Sequence, residues 1–169
     1  MSLNPRTKGQ EGEREVARML NDIVAIVREG LKLPTLEKDD YLFQRNQNQS
    51  AVGGSDLSNK LHLEIEVKRQ EDLAISQWWN QCTKQANRTQ GIPILIFRQN
   101  RKAWRVMMYS FIPMQPMHVG YRSYHGPIRM EMRIECFKQW FETYYTQWAK
   151  MELSPKAPLN RSRDLYGND

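Results

Sequence analysis

The segment from Leu61 to Gln70 reads LHLEIEVKRQ and alternates apolar with polar residues. Successive side chains of a β-strand point to opposite faces of its sheet, so the alternation predicts a strand with one apolar face. The apolar face would carry Leu61, Leu63, Ile65 and Val67. The polar face would carry Glu64, Glu66 and Lys68. Two carboxylates and an ammonium on one face indicate either a solvated surface or a metal site.

The remainder of the chain alternates predicted helices with predicted strands. Apolar residues at helical spacing predict one helix over residues 9–29 and a second over 74–89. Further strands are predicted over 41–45, 91–97, 103–111 and 128–134, and a last helix over 135–151. One face of the last helix is aromatic, which favours a core or a subunit interface over a platform for stacking bases: Phe137, Trp140, Phe141, Tyr144 and Trp148.

Composition favours a single globular domain with a polyanionic partner. The 169 residues are 40% hydrophobic, enough for a core without disulfides or a structural metal. A net charge of +6 favours nucleic acid as the partner. Cys82 and Cys136 lie far apart and the histidines show no ligand spacing, which indicates a reducing, cytoplasmic setting and no zinc site. No apolar run reaches the roughly 18 residues that a membrane span needs.

Asp56 is expected to join the polar face of the 61–70 strand. It lies ten residues before Glu66, at the start of a short strand that would pair with residues 61–68 through the turn SNK. An antiparallel hairpin would bring Asp56 near Glu66 and Lys68. Two carboxylates, with water and phosphate oxygens, suit Mg²⁺, and the lysine could orient a water or offset charge on a phosphate. The spacing alone is short, so salt bridges on a solvated face remain an alternative.

Glu13 lies on the apolar face of the first helix, three, four and seven residues before Val16, Ala17 and Leu20. A buried carboxylate without a partner costs several kcal/mol, so an acid on that face needs one. It either extends to solvent near the helix end, where the helix dipole favours it, or reaches the metal site as a further acid. The sequence leaves both alternatives open.

Four segments carry a resemblance to a known family: KGQEGEREVARML (8–20), GSDL (54–57), LEIEVK (63–68) and GIPILIFRQNRKAWRV (91–106). Their order and spacing over about residues 6–110 resemble the archaeal-type Holliday junction resolvases of the PD-(D/E)XK nuclease superfamily. The resemblance implies a restriction-endonuclease-like α/β fold with a mixed central β-sheet flanked by helices. It also implies a homodimeric, Mg²⁺-dependent endonuclease, with Mn²⁺ as a substitute, that cuts four-way DNA junctions symmetrically.

The resemblance also implies roles for individual residues. It implies that Glu13, Asp56 and Glu66 bind the metal. It also implies that these three acids and Lys68 are catalytic. Arg45 resembles a basic residue near the DNA backbone, and Ser50 could match a loop serine. Ser55 precedes Asp56 where the superfamily name leads one to expect proline. Glu64 stands where the family has a neutral residue, and we expect it to form a salt bridge at the margin of the site.

The remaining candidates have weaker support. Lys8 and Arg69 could bind DNA, although solvated charge is their default interpretation. Three glutamines at helical spacing lie on the second helix, and surface solvation explains most of them: Gln77, Gln81 and Gln85. Of these we favour Gln77, because the first turn of the helix is nearest the end of the Lys68 strand. Trp78 and Trp79 are adjacent, so we expect one of them to be buried and the other exposed.

The sequence therefore predicts one nuclease domain over residues 1–169, in the cytoplasm or, for a viral protein, in the host cytoplasm. The core would cover about 6–110, followed by a strand-helix extension over 128–151 and a polar tail over 152–169. Two rival functions remain. One is another PD-(D/E)XK nuclease, either restriction-like or trimming single strands, and the other is a DNA-binding protein without catalysis.

Overall fold

The computed structural model describes residues 5–46, 54–110 and 128–153. The described residues form three α-helices, six β-strands and a short 3₁₀ turn. In chain order the elements are α1 (Pro5–Gly30), the 3₁₀ turn (Lys38–Asp40), β1 (Gln44–Arg45), β2 (Leu57–Ser58), β3 (Leu63–Gln70), α2 (Ile75–Thr89), β4 (Ile92–Gln99), β5 (Arg105–Ser110), β6 (Ile128–Arg133) and α3 (Ile134–Leu153). This order confirms the predicted alternation of helices and strands.

The six strands form one mixed sheet in the order β1-β2-β3-β4-β5-β6. β3 and β4 are parallel, with Leu63 opposite Ile92 and Lys68 opposite Phe97, and α2 connects them. The other neighbouring pairs are antiparallel, including the β4–β5 hairpin. A parallel pair needs such a crossover, whereas antiparallel strands can be joined by short turns. The predicted fold class, a mixed central sheet flanked by helices, is confirmed.

Helices cover both faces of the sheet. On one face, side chains of α1 and α3 pack against the inward residues of β3 and β4, including Ile65 and Ile94. On the other face, Trp78 and Trp79 of α2 pack against Leu95 and Phe97. Both tryptophans are only 5% exposed, so the expectation that one of them would be exposed is wrong. Adjacent helix positions can both be buried here because the apolar stripe of a packed helix is wide.

The aromatic face of α3 belongs to the core, as the sequence predicts. Phe137, Phe141 and Tyr145 are buried, and the ring centroid of Phe141 lies 5.4 Å from that of Phe43. Tyr144 is partly buried and its hydroxyl donates a hydrogen bond to the carbonyl of Leu61 at 2.9 Å. The helix that ends the described chain therefore packs on the same core as β3.

The first strand is shorter than predicted, since only Gln44 and Arg45 of residues 41–45 form β1. The reason is the buried side chain of Asn21, whose amide donates to the carbonyl of Phe43 at 2.8 Å and whose oxygen accepts from the N–H of Phe43 at 3.0 Å. Phe43 therefore bonds to α1 and not to a neighbouring strand. No described helix is both long and apolar enough to cross a membrane.

Candidate active site

Asp56 is fixed at the start of β2 by three hydrogen bonds. Its backbone N–H donates to the carbonyl of Ile65 at 2.9 Å, and its carbonyl accepts from the N–H of Asn46 at 2.9 Å. Its side-chain Oδ2 accepts from the N–H of Val67 at 2.5 Å. Leu57 pairs with Ile65 in the antiparallel register, which confirms the predicted hairpin. The carboxylate of Asp56, 4% exposed, therefore lies against the middle of β3.

Glu66 is the second buried acid, with 3% exposure, and among the described residues only Asp56 and Glu66 have buried carboxylates. Its Oε1 accepts a hydrogen bond from the side-chain amide of Gln81 at 2.7 Å. The same Oε1 forms an ion pair with the ammonium of Lys68. The side chain of Lys68 is 20% exposed, so the ammonium lies at the boundary between the buried acids and solvent.

Glu13 also has a cationic partner, but it is Arg45. The Nε of Arg45 donates to Oε2 of Glu13, and both side chains are largely buried. The argument that an acid on the apolar face of α1 needs a partner is therefore confirmed. Arg45, expected near the DNA backbone, is held in this ion pair and is partly exposed beside it.

No group of three or more His, Cys, Asp or Glu side chains within the described ranges lies close enough to hold a metal ion. Metal binding by Glu13, Asp56 and Glu66 therefore stays a prediction. The carboxylate of Glu13 bonds to Arg45 and also interacts electrostatically with that of Asp56, which lies just before β2. The two buried acids remain as candidate ligands, and Mg²⁺ commonly takes only one or two carboxylates besides water and phosphate.

Burial and neighbouring charges shift the pKa values of this site. Burial, and after it the repulsion from the Asp56 carboxylate, raise the pKa of Glu66 to about 7, although Lys68 opposes the shift. Burial also raises the pKa of Glu13, against the hydrogen bond from Arg45. Burial lowers the pKa of Lys68, but the carboxylates of Glu66 and Asp56 more than offset this and raise it overall. The charged form of Glu66 is therefore disfavoured in the metal-free chain, first by burial and then by the Asp56 carboxylate.

The glutamine in contact with the site is Gln81, where the sequence favoured Gln77. Gln77 lies exposed one turn earlier on α2. Glu66 lies four residues before the end of β3, which is roughly 13 Å along the strand. The helix α2 runs back along β3 and rises only about 1.5 Å per residue, so its first turn does not yet reach Glu66. Helical spacing places three glutamines on one side of α2, but it does not show which of them contacts Glu66: Gln77, Gln81 or Gln85.

The remaining candidates lie at the margin of the site or outside the described chain. Arg69 forms an ion pair with Glu11 at 3.3 Å, and Lys8 is half-buried in the second turn of α1. Glu64 is half-buried and forms no ion pair with any described residue, so the expected salt bridge is not found. Ser50 lies outside the described residues, and no position can be assigned to it.

Comparison with known families decides the superfamily. The family described as "Phage putative PDDEXK endonuclease" matches residues 4–160. The chain belongs to this family. It is therefore a nuclease of the PD-(D/E)XK superfamily, whose members generally use divalent metal ions and act on DNA. The family description names neither an archaeal-type resolvase nor a four-way junction. No curated protein matches the chain.

The metal-free PDDEXK chain is expected to lose stability as the pH rises from about 5 to about 8. The ordinary carboxyl pKa of 4.5 rises to about 7 for Glu66 in the folded chain, so the folded state binds this proton more tightly. This contribution is fully present below pH 4.5 and is lost as the pH rises through about 7. Glu13 acts in the same direction. The raised pKa of Lys68 has its effect only in the alkaline range.

Thermal unfolding in EDTA across this range measures the effect. Glu66→Gln should flatten the pH profile, with a difference on the order of a few kcal/mol at its upper end. Glu142→Gln, a matched change at an exposed position of α3, should keep the wild-type profile. Parallel profiles for the wild type and Glu66→Gln would contradict the assignment of the pH dependence to Glu66.

Proposed function

We propose that this chain is a metal-dependent DNA endonuclease that hydrolyses a phosphodiester at the site of Asp56, Glu66 and Lys68, with four-way junctions as its substrate. One observation supports the chemistry above all others. A buried carboxylate just before β2 is bonded to β3, and a second buried carboxylate on β3 is paired with a lysine two residues along that strand. Asp56 and the Glu66-Val67-Lys68 segment correspond to the acid, acid and lysine of the superfamily name.

The two buried acids fit a divalent ion such as Mg²⁺, with Mn²⁺ as a substitute. Both contacts of the Glu66 carboxylate use Oε1, which leaves Oε2 as a ligand. The pKa of Glu66, raised by burial and by Asp56, also favours a bound cation, because the cation would relieve the repulsion between the two carboxylates. When bound, a divalent ion would polarise the scissile phosphate and lower the pKa of a water molecule.

Lys68 would position the attacking water and offset charge on the phosphate. Its ammonium is anchored by Oε1 of Glu66 and is partly exposed, so it can donate further hydrogen bonds to water or to a phosphate oxygen. The oxygen of the water forms a bond to phosphorus, and the bond between phosphorus and one bridging oxygen breaks. The products are a phosphate monoester and a free hydroxyl end.

Basic side chains around the site would bind the DNA backbone. Arg45 is held by Glu13 and keeps part of its guanidinium exposed, which suits a fixed phosphate contact. We propose that Glu13 positions Arg45 for this phosphate contact and is not itself a metal ligand. Lys8 and Arg69 are further candidates for phosphate contacts. Such contacts position DNA without reading its bases, so affinity should fall as salt rises.

The choice of four-way junctions rests on the four segments that resemble archaeal-type resolvases and on the net charge of +6. A homodimer with two-fold symmetry would present one site to each of two symmetric strands and explain paired cuts. We propose a single nuclease domain, since side chains from all three described ranges share one core. The phage family supports action in the host cytoplasm.

Cleavage assays on labelled four-way junctions, plain duplex and single strands test this function. With Mg²⁺ the wild type should make paired symmetric cuts in junctions, and EDTA should abolish them. Glu66→Gln should lower the rate by at least about 100-fold because it removes a ligand. Glu142→Gln should cut at the wild-type rate. Equal cutting of duplex would contradict junction selectivity and favour a restriction-like enzyme, and binding without any cutting would favour a DNA-binding protein.

Lys68→Met should slow single-turnover cleavage by about 10²–10⁴-fold, because it removes a hydrogen-bond donor that acts in the reaction and is not a ligand. The same variant should keep the increase in melting temperature that Mg²⁺ causes in the wild type. Lys84→Met, at an exposed position of α2, is the matched control and should cleave normally. If Lys68→Met cleaves at the wild-type rate, the proposed role of Lys68 is wrong.

Sedimentation velocity at micromolar concentration tests the dimer. A mass of twice 20.1 kDa is expected. A monomer, both alone and with a junction, would remove the explanation of paired cuts by two-fold symmetry.

A further inference from the structure

A cavity of about 270 Å³ lies beside the candidate active site. Its wall includes Glu64, which is two residues before Glu66 and therefore on the same face of β3. It also includes Gln85, one turn after Gln81 on the same side of α2. The cavity, here named the Glu64 cavity, therefore lies next to the candidate site along both β3 and α2. Two strand residues span roughly 7 Å, so it opens next to the scissile position.

Four polar side chains that line the Glu64 cavity form no hydrogen bond or ion pair with the described residues: Lys60, His62, Glu64 and Gln85. Asn59, which also lines it, differs, because its amide bonds to the backbone of Leu61 and Leu63 and so shapes the turn before β3. The cavity therefore combines a fixed turn with polar groups that are available to a ligand.

The arrangement of these four groups selects a class of ligand. Glu64 only accepts hydrogen bonds when ionised, whereas Gln85 can both donate and accept. Lys60 and His62 are exposed, so they can meet an anion in front of the cavity. A free phosphate inside would be repelled by Glu64. A neutral polar ring that is attached to a phosphate, such as the base of a nucleotide, meets an acceptor inside and the ammonium of Lys60 outside.

The size and wall of the Glu64 cavity agree with one base. Its volume lies just below the roughly 300–1,000 Å³ of typical small-molecule sites, so it suits a single ring system. Gly91 maintains the position of Glu64: a Cβ at residue 91 would lie 2.7 Å from Cγ of Glu64 and 3.0 Å from the carbonyl oxygen of His62. A side chain at this position would force Glu64 to move.

We propose that the Glu64 cavity receives the base of one nucleotide that flanks the scissile phosphate, turned out of the base stack. Glu64 accepts a hydrogen bond from the exocyclic amino group of cytosine or adenine, and Gln85 bonds to the ring edge. The proposal rests on the proposed function. Turning a base out costs least where it is already unpaired, so the cavity would favour DNA with loosened pairs at a branch point.

Binding of labelled junctions to the Glu66→Gln variant tests the proposal without cleavage. The wild type first maps the cut, and pyrrolocytosine then replaces each base that flanks the cut. This probe brightens when it leaves the stack and keeps an N–H donor in place of the amino group of cytosine. Fluorescence should rise several-fold at one of the two positions. It should not rise when Gln85→Trp is added to fill the cavity, while anisotropy shows that the junction still binds. No rise at either position, or a rise that persists with Gln85→Trp, would overturn the proposal.

Base preference gives a second measurement that does not require a bulky substitution. The wild type should prefer cytosine or adenine to thymine at the same position by about tenfold. Glu64→Met should reduce this preference, because methionine has a similar length but no strong hydrogen-bond acceptor. Unchanged preference in Glu64→Met would overturn the role of Glu64. Failure of the proposed function looks different, because the wild type would then either cut no DNA or cut plain duplex as fast as junctions. Cutting without any rise in fluorescence would overturn the cavity proposal alone.

Discussion

The hydrogen bond from the N–H of Val67 to the carboxylate of Asp56 determines the geometry of the candidate site. β2 has only two residues, so its pairing with β3 stops at Leu57 and Ile65. Without the side chain of Asp56, the N–H of Val67 would be a buried donor without a partner, at a cost of about 1–3 kcal/mol. The carboxylate replaces the missing strand partner. One bond therefore completes the sheet and fixes a potential metal ligand beside Glu66.

This arrangement concentrates negative charge where water is scarce. Glu66 lies beside Asp56, and its pKa of about 7 shows that burial and repulsion exceed the help from Lys68. A core selected only for stability would not place two acids together, because buried like charges oppose folding. A bound cation would bind the folded state alone and recover part of this cost. The same repulsion therefore lowers the stability of the metal-free chain and supports metal binding.

The parts of the site that the sequence predicted are those set by short-range geometry. A period of two places Glu66 and Lys68 on one face of a strand, and a tight hairpin brings Asp56 to the next strand. The contacts that it missed, Arg45 with Glu13 and Gln81 with Glu66, join elements far apart in the chain. They depend on how each helix lies against the sheet, which periodicity does not specify. The burial of both tryptophans on α2 was missed for the same reason.

Glu64 and Glu66 have different environments, which the periodicity of the strand also does not specify. The difference has a structural cause. The two acids share a face of β3, yet Glu66 is covered by α2 while Glu64 borders a cavity. α2 ends in a sharp turn, with Gln90 in the left-handed conformation and the N–H of Gly91 donating to Ala86 at 3.0 Å. The chain then enters β4 after two residues, and the end of α2 and this connection line the cavity with Gln85, Thr89 and Gly91. The short connection that makes the parallel pair therefore also bounds the space beside the candidate active site.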